Sequence, residues 1–168
     1  MPSATTRIIL LMGVAGSGKT TIGRQVASEL AWPYFEADDF HSAANKEKMR
    51  QGIPLNDDDR APWLASLREQ IDACVANGQS AVFTCSALKE KYRQILMHNA
   101  PAVKLVYLAA DVATIQARVS QRKGHYMKVD MVQSQFAALE VPADALTLET
   151  RESPASIIAR IKQALAQW

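Results

Sequence analysis

Arg7-Ile8-Ile9-Leu10-Leu11-Met12, running directly into Gly13-Val14-Ala15-Gly16-Ser17-Gly18-Lys19-Thr20, is the stretch that decides the fold. Its first six residues form an apolar, β-branched run suited to a buried strand, and Thr20 onward is helical in character. Between them, Gly13 to Thr20 fit G-x-x-x-x-G-K-[ST] in the strand–loop–helix context this phosphate-binding loop requires. The glycines let the backbone turn with its N–H groups facing inward at a helix N-terminus, where a polyphosphate is favoured. Lys19 adds a point charge for the β- and γ-phosphates, and the Thr20 hydroxyl can reach Mg²⁺. A nucleoside triphosphate is the expected ligand.

Outward from this loop, strands and helices alternate to the end of the chain. The expected strands are Arg7–Met12, Tyr34–Glu36, Ser80–Cys85, Val103–Leu108 and Ala145–Leu148. The helix after the loop runs from about Gly18 to Leu30 and ends before Trp32-Pro33, since proline disfavours helix in the residue before it. Further helices are expected over Ser42–Gln51, from Pro62 to Asn77-Gly78, and over Lys89–His98, Asp111–Gln121 and Met131–Leu139. Ser153 caps a last helix with Pro154 in its first turn. Such alternation implies right-handed crossovers and a five-stranded parallel sheet covered by helices on both faces, an α/β P-loop NTPase fold.

With 168 residues, 48% hydrophobic and 21% charged, the chain matches one soluble globular domain over 1–168. A net charge of +2 is too small to argue for nucleic acid as partner. No run approaches the roughly 20 apolar residues of a membrane span, and the N-terminal run is expected to be a core strand, not a secretory signal. Cys74 and Cys85 lack metal or redox spacing and are expected to be buried thiols, which suits a reducing cytoplasm.

The phosphate loop does not itself specify a reaction. A guanine-reading N-K-x-D is missing: Asn45-Lys46-Glu47-Lys48 lacks the Asp and comes too early. The third strand ends in Thr84-Cys85-Ser86, without the carboxylate of a Walker B metal site. Both features point to the compact metabolite and nucleotide kinases. Strand C-termini face the ligand crevice in open parallel sheets, which brings Glu36-Ala37-Asp38-Asp39-Phe40-His41 near the γ-phosphate. If the strand persists to residue 38, Glu36 and Asp38 share a face. Asp38 is then placed to accept a hydroxyl proton, Glu36 to hold metal-bound water and His41 to orient a substrate or sit at a helix start. Asp58 and Asp59 have the pattern of a helix cap.

Arg60, Lys89 and Arg93 are candidates for an acidic substrate, since a guanidinium binds a carboxylate bidentately. Lys89 and Arg93, four apart, repel on one helix face unless an anion intervenes. Arg118 and Arg122, continued by Lys123-Gly124-His125-Tyr126, have the pattern of a lid over ATP at about 122–130, closing to exclude water and stabilise transferring charge.

Together these motifs resemble the small P-loop gluconokinases, relatives of shikimate kinase. The resemblance spans nearly the whole chain. It is carried by the phosphate loop, by Asp38 with His41 and Asn45, by Gly52-Ile53-Pro54-Leu55-Asn56-Asp57-Asp58-Asp59-Arg60 with Pro62-Trp63, and by Cys85-Ser86-Ala87-Leu88-Lys89 with Tyr92-Arg93. Arg122-Lys123-Gly124-His125-Tyr126 and Gln133-Ser134-Gln135-Phe136 extend it. It implies transfer of the ATP γ-phosphoryl group to the 6-hydroxyl of D-gluconate, Mg²⁺ dependence, a cytoplasmic sugar-acid route and a homodimer. The expected roles are Lys19, Asp38 and Arg122 in catalysis, Gly13 to Thr20 with Arg118 and Arg122 on the nucleotide, and Asp38, His41, Arg60, Lys89 and Arg93 on the substrate. Thr20 is the expected metal ligand. Two alternatives stay open: a kinase for another hydroxy acid such as shikimate, and an ATP-sensing module without turnover.

Overall fold

A computed structural model of the chain describes residues 5–98, 101–121 and 129–168, the last range without the side chains of 129 and 130. The alternation gives β1 (Ile8–Met12), α1 (Lys19–Leu30), β2 (Tyr34–Glu36), α2 (Ala43–Arg50), α3 (Asp57–Ala76), β3 (Ala81–Thr84) and α4 (Glu90–Leu96). After these come β4 (Val103–Ala109), α5 (Val112–Gln121), α6 (Val129–Ala138), β5 (Leu146–Glu149) and α7 (Pro154–Leu165). The five strands form one sheet in the order β2-β3-β1-β4-β5, and every paired strand is parallel.

β1 lies at the centre and is buried along its whole length. Its side chains alternate between the two faces as a strand requires. Ile8, Leu10 and Met12 join Trp63, Leu64, Leu67 and Ile71 of α3 in one core. Ile9 and Leu11 join Ile22 and Val26 of α1 and Ile157, Ile158 and Ile161 of α7 in the other. A third, smaller cluster of Val14, Leu88, Ile115, Val119 and Val132 lies where the phosphate loop meets α5 and α6. Cys74 and Cys85 are free and buried, as the sequence suggests.

Two local expectations are corrected. α3 begins at Asp57, five residues before Pro62, which lies inside the helix. The Asn56 side chain accepts from the Asp59 N–H at 2.8 Å while Asp59 Oδ2 accepts from the Asn56 N–H at 3.0 Å, a complete capping box. Three aspartates in that first turn also complement the helix dipole, and together they outweigh the turn-breaking tendency of Pro62. The second correction concerns β2, whose pairing with β3 stops at Glu36 opposite Thr84. The chain then turns through a single 3₁₀ turn, Ala37–Phe40. Trp63 Nε1 donates to the Ala37 carbonyl at 2.7 Å, taking that acceptor out of any ladder. Asp38 is therefore delivered by a turn and not by strand alternation.

Candidate active site

The C-terminal ends of β1, β2 and β3 converge, and the sequence-local phosphate loop occupies their centre. Gly18 at the N-cap of α1 has φ 98°, a left-handed conformation that a side chain would strain. Lys19 is half-buried, with Nζ donating to the Val14 carbonyl at 3.1 Å. Burial lowers its pKa, and the nearby Asp38, Cys85 and Glu36 oppose that shift. Cys85 lies beneath it, its thiol pushed up to about 12 by burial, so it is inert as a nucleophile.

Beside Lys19, the Thr20 hydroxyl donates to Glu36 Oε2 at 2.8 Å. The Tyr34 hydroxyl donates to the same oxygen at 2.6 Å and lies 2.7 Å from Thr84 Oγ1. Burial first, and then the Glu36 hydrogen bond, push the Tyr34 phenol up to about 12, so it stays a donor. Gly23 makes this arrangement possible. A Cβ there would meet the Thr84 methyl at 2.5 Å and the Tyr34 ring at 2.9 Å, so glycine lets α1 approach the β2–β3 pair. Thr20 and Glu36 thus offer hard oxygen donors of the kind Mg²⁺ takes while keeping most of its waters.

Asp38 sits across from the lysine. Burial, then Glu36, raise its carboxyl above the ordinary range, while Lys19 pulls it back. A carboxylate held there is a stronger base than one in water, which suits proton abstraction.

His41 is buried and stacked on Trp63, with ring centroids 4.2 Å apart and planes 14° apart. Asn45 Nδ2 donates to His41 Nδ1 at 3.2 Å and to the Asp59 carbonyl at 2.8 Å. The ring proton is thereby assigned to Nε2. Burial, then the Arg60 and Lys46 charges, drop the His41 pKa to about 4. It is a neutral donor at physiological pH.

Arg60 projects from the first turns of α3, over the Tyr92 ring at 5.5 Å, and donates to the Tyr92 hydroxyl at 3.2 Å. Tyr92 in turn donates to Asp57 at 2.6 Å, which fixes the aromatic support. Arg60 and Lys89 line one cleft with Trp63, Ser86, Tyr92 and Gln135. A larger open groove of about 570 Å³ between α4 and α6 shares only Lys89 and Ala138 with that cleft, and its other walls are remote from the strand ends.

Arg93, expected on the substrate, is engaged within the fold. It is buried, and its guanidinium donates to the carbonyls of Ala87 at 2.8 Å, Leu88 at 3.1 Å and Glu140 at 2.8 Å. All three bonds fasten the loop that carries Lys89. Lys89 itself is the N-cap residue of α4, outside the helix, so the two cations do not share a helical face. Arg118 reaches the nucleotide side, donating to the Gly16 carbonyl at 3.3 Å and the Thr150 carbonyl at 3.2 Å. Arg122 and residues 122–128 of the lid expected over about 122–130 lie outside the described residues, and 129 and 130 open α6.

Two contacts escape motif reading. The Ala15 N–H of the phosphate loop donates to Gln135 Oε1 of α6 at 3.0 Å. The Glu90 N–H at the start of α4 donates to Glu140 Oε1 at 3.0 Å. Both join segments far apart in sequence, through Gln135 and Glu140 of the Gln133-Ser134-Gln135-Phe136 and Leu139-Glu140 strings that carry the resemblance.

Residues 8–153 match the AAA domain family, which shares this phosphate loop. A probable gluconokinase of Rattus norvegicus is 42% identical over 157 residues, covering 83% of this chain and 85% of the relative. The thermosensitive gluconokinase of Escherichia coli (strain K12) is 41% identical, covering 93% and 86%. The chain belongs to the gluconokinase family. A crystal structure of a gluconokinase from Sinorhizobium meliloti 1021 superposes with a TM-score of 0.82 at 34% identity, covering 96% of this chain and 97% of that one. The AAA match and the sheet order agree with the P-loop architecture expected from the alternation.

Proposed function

We propose that this chain phosphorylates D-gluconate at its 6-hydroxyl with ATP, acting as a cytoplasmic, Mg²⁺-dependent homodimer. The observation that supports the reaction is Asp38 on the 3₁₀ turn at the C-terminal end of β2, close enough to Lys19 for their charges to interact and with its carboxyl pKa raised. The loop amides and Lys19 hold the triphosphate, and Arg118 steadies the loop from behind through the Gly16 carbonyl. Thr20, backed by Glu36, would hold Mg²⁺, which when bound neutralises charge on the phosphates.

Asp38 accepts the proton of the 6-hydroxyl as its oxygen forms a bond to the γ-phosphorus. The bond from that phosphorus to the β–γ bridging oxygen breaks, and ADP leaves with the electron pair. Arg60 and Lys89 receive the gluconate carboxylate, and His41 donates from Nε2 to a hydroxyl. Arg122 fills the role of lid cation, neutralising charge on the transferring group.

The direct test is ADP release with Mg-ATP across D-gluconate, other aldonic acids and shikimate, against an acceptor-free blank. Gluconate-dependent release with 6-phosphogluconate as product is expected. ATP binding without acceptor-dependent turnover would overturn the assignment. Sedimentation equilibrium checks the homodimer, with a mass near twice 18.4 kDa expected.

A further inference from the structure

Gln135 stands apart from every residue the mechanism uses. It lies on α6, 120 positions from the phosphate-loop amide it contacts, and its Oε1 accepts from Ala15 N–H at 3.0 Å. A carboxamide whose oxygen accepts from a backbone N–H has its –NH₂ at the other corner, carrying two donors. Among the described residues, that nitrogen has no hydrogen-bond partner, and Gln135 lines the same cleft as Arg60, Trp63 and Lys89.

The helix that carries it is fastened on two sides. Phe136, Ala138 and Leu139 pack against the Val14–Leu88–Ile115 cluster. At its end, the Glu140 N–H donates to the Leu88 carbonyl at 2.8 Å, and Arg93 binds the Glu140 carbonyl at 2.8 Å. Gln135 is thus held at both its backbone and its Oε1, beside the cleft it lines. An oriented donor pair in a cleft that already holds cations for a carboxylate matches a polyhydroxylated chain, whose oxygens need neutral donors along their length.

We propose that Gln135 is a substrate-binding and specificity residue: anchored by the Ala15 amide, its Nε2 donates to a chain hydroxyl oxygen of the acceptor. The inference rests on the kinase reading above. It sets the acceptor against the phosphate loop itself, so the distance between the attacking hydroxyl and the γ-phosphate is fixed through one side chain. Loss of a positioned donor to a substrate hydroxyl is costly because the hydroxyl then lacks an oriented partner.

The test is steady-state kinetics of Gln135→Leu and Gln135→Glu beside the unaltered chain, with ATP binding followed separately by calorimetry. Gln135→Leu removes both ends of the amide, whereas Gln135→Glu keeps an acceptor for Ala15 and removes the donors. Both variants are expected to raise KM for gluconate tenfold or more, and Gln135→Leu is expected to leave ATP affinity within twofold. A series of mono-deoxy gluconates adds a readout that mere loosening of α6 would not move. For one of them the penalty of Gln135→Leu should vanish, because the hydroxyl it binds is already gone.

An unchanged gluconate KM in Gln135→Leu, with normal turnover by the unaltered chain, overturns this proposal alone. Tighter ATP binding in that variant also overturns it, since Gln135 would then be competing with the nucleotide for the Ala15 amide. If Gln135→Leu does not fold, Gln135→Glu alone decides, and an unchanged KM there overturns the proposal. Absence of turnover by the unaltered chain with every acceptor overturns the kinase reading and this inference together.

Discussion

In the nucleotide half of the cleft, the groups proposed to hold phosphate come from one short loop, backbone amides and a lysine between Gly13 and Thr20. In the acceptor half, Asp38, His41, Arg60 and Lys89 arrive from a 3₁₀ turn, the segment entering α2, the start of α3 and the cap of α4. Backbone amides tolerate any side chain that lets the loop turn, so the first half is a short pattern in sequence. Side chains from four segments are brought together only by packing, so the second half depends on Trp63, Asn45, Tyr92 and Arg93, which hold the reacting groups in place. Substitutions in the acceptor half should therefore divide into those that alter chemistry and those that alter support.

Asp38→Ala should have the largest effect. Loss of a positioned base lowers turnover by about 10²–10⁴-fold, with ATP affinity nearly intact. An equal loss of ATP affinity, measured by calorimetry, would move Asp38 from the acceptor half to the metal shell.

Arg93 and Arg60 test the division directly. Arg93→Ala strips a guanidinium from three carbonyls within a buried environment, and at about 1–3 kcal/mol for each unsatisfied group a loss of about 3 kcal/mol or more is expected. The readout is the urea midpoint. Arg60→Ala removes a half-exposed cation from the cleft and should leave that midpoint almost unmoved. It should instead raise KM for gluconate about 10- to 100-fold, as expected for a charged hydrogen bond of about 1.5–3 kcal/mol. If Arg93→Ala raised KM with stability unchanged, the guanidinium would be a substrate ligand after all.

His41 supplies a pH test. Its pKa is about 4 in the fold against 6.5 for the free side chain. Between those values the unfolded chain binds a proton that the native chain lacks, so stability rises with pH across the window. The contribution is fully present above 6.5 and is lost as pH falls toward about 4, on the order of 2 kcal/mol after allowance for solvent screening. Asp38, with its raised carboxyl pKa, acts in the opposite sense, so the comparison must be between slopes. His41→Gln should flatten the fall in urea midpoint between pH 7 and 4.5. An unchanged slope would show that the imidazole is solvated and free to charge.

How far the sequence reached follows the same division. The alternation of strands and helices, the phosphate loop and the Ser153 cap were legible because each depends on residues within a few positions. Asp38, His41, Arg60 and Lys89 were legible as candidates, since their residue types fit an acidic, hydroxylated substrate at strand ends. Arg93 bonds three carbonyls in the fold, and because a guanidinium suits these as well as it suits a carboxylate, spacing does not distinguish the two. Gln135 appeared only within a string that carries the resemblance, without a role: an amide inside a helix acquires meaning only when the fold brings Ala15 to it.

The start of α3 gives the smallest effect and links the two kinds of residue. Pro62 marked the start of the helix from sequence, yet the Asn56–Asp59 capping box starts it five residues earlier. That earlier start puts Arg60 inside the helix, its N–H bonded to the Asn56 carbonyl at 3.1 Å, and so fixes where the guanidinium emerges. Asn56→Ala removes the side-chain acceptor for Asp59 N–H and should lower stability by about 1 kcal/mol. Because Lys48 also grips Asp59 at 3.0 Å, the turn keeps a second tether, and KM for gluconate should rise less than threefold. A KM change as large as that of Arg60→Ala would mean that the cap, and not the packing of Arg60 on Tyr92, sets the position of the guanidinium. Lys48→Met in the same background would then add to the loss, because it removes the tether that remained.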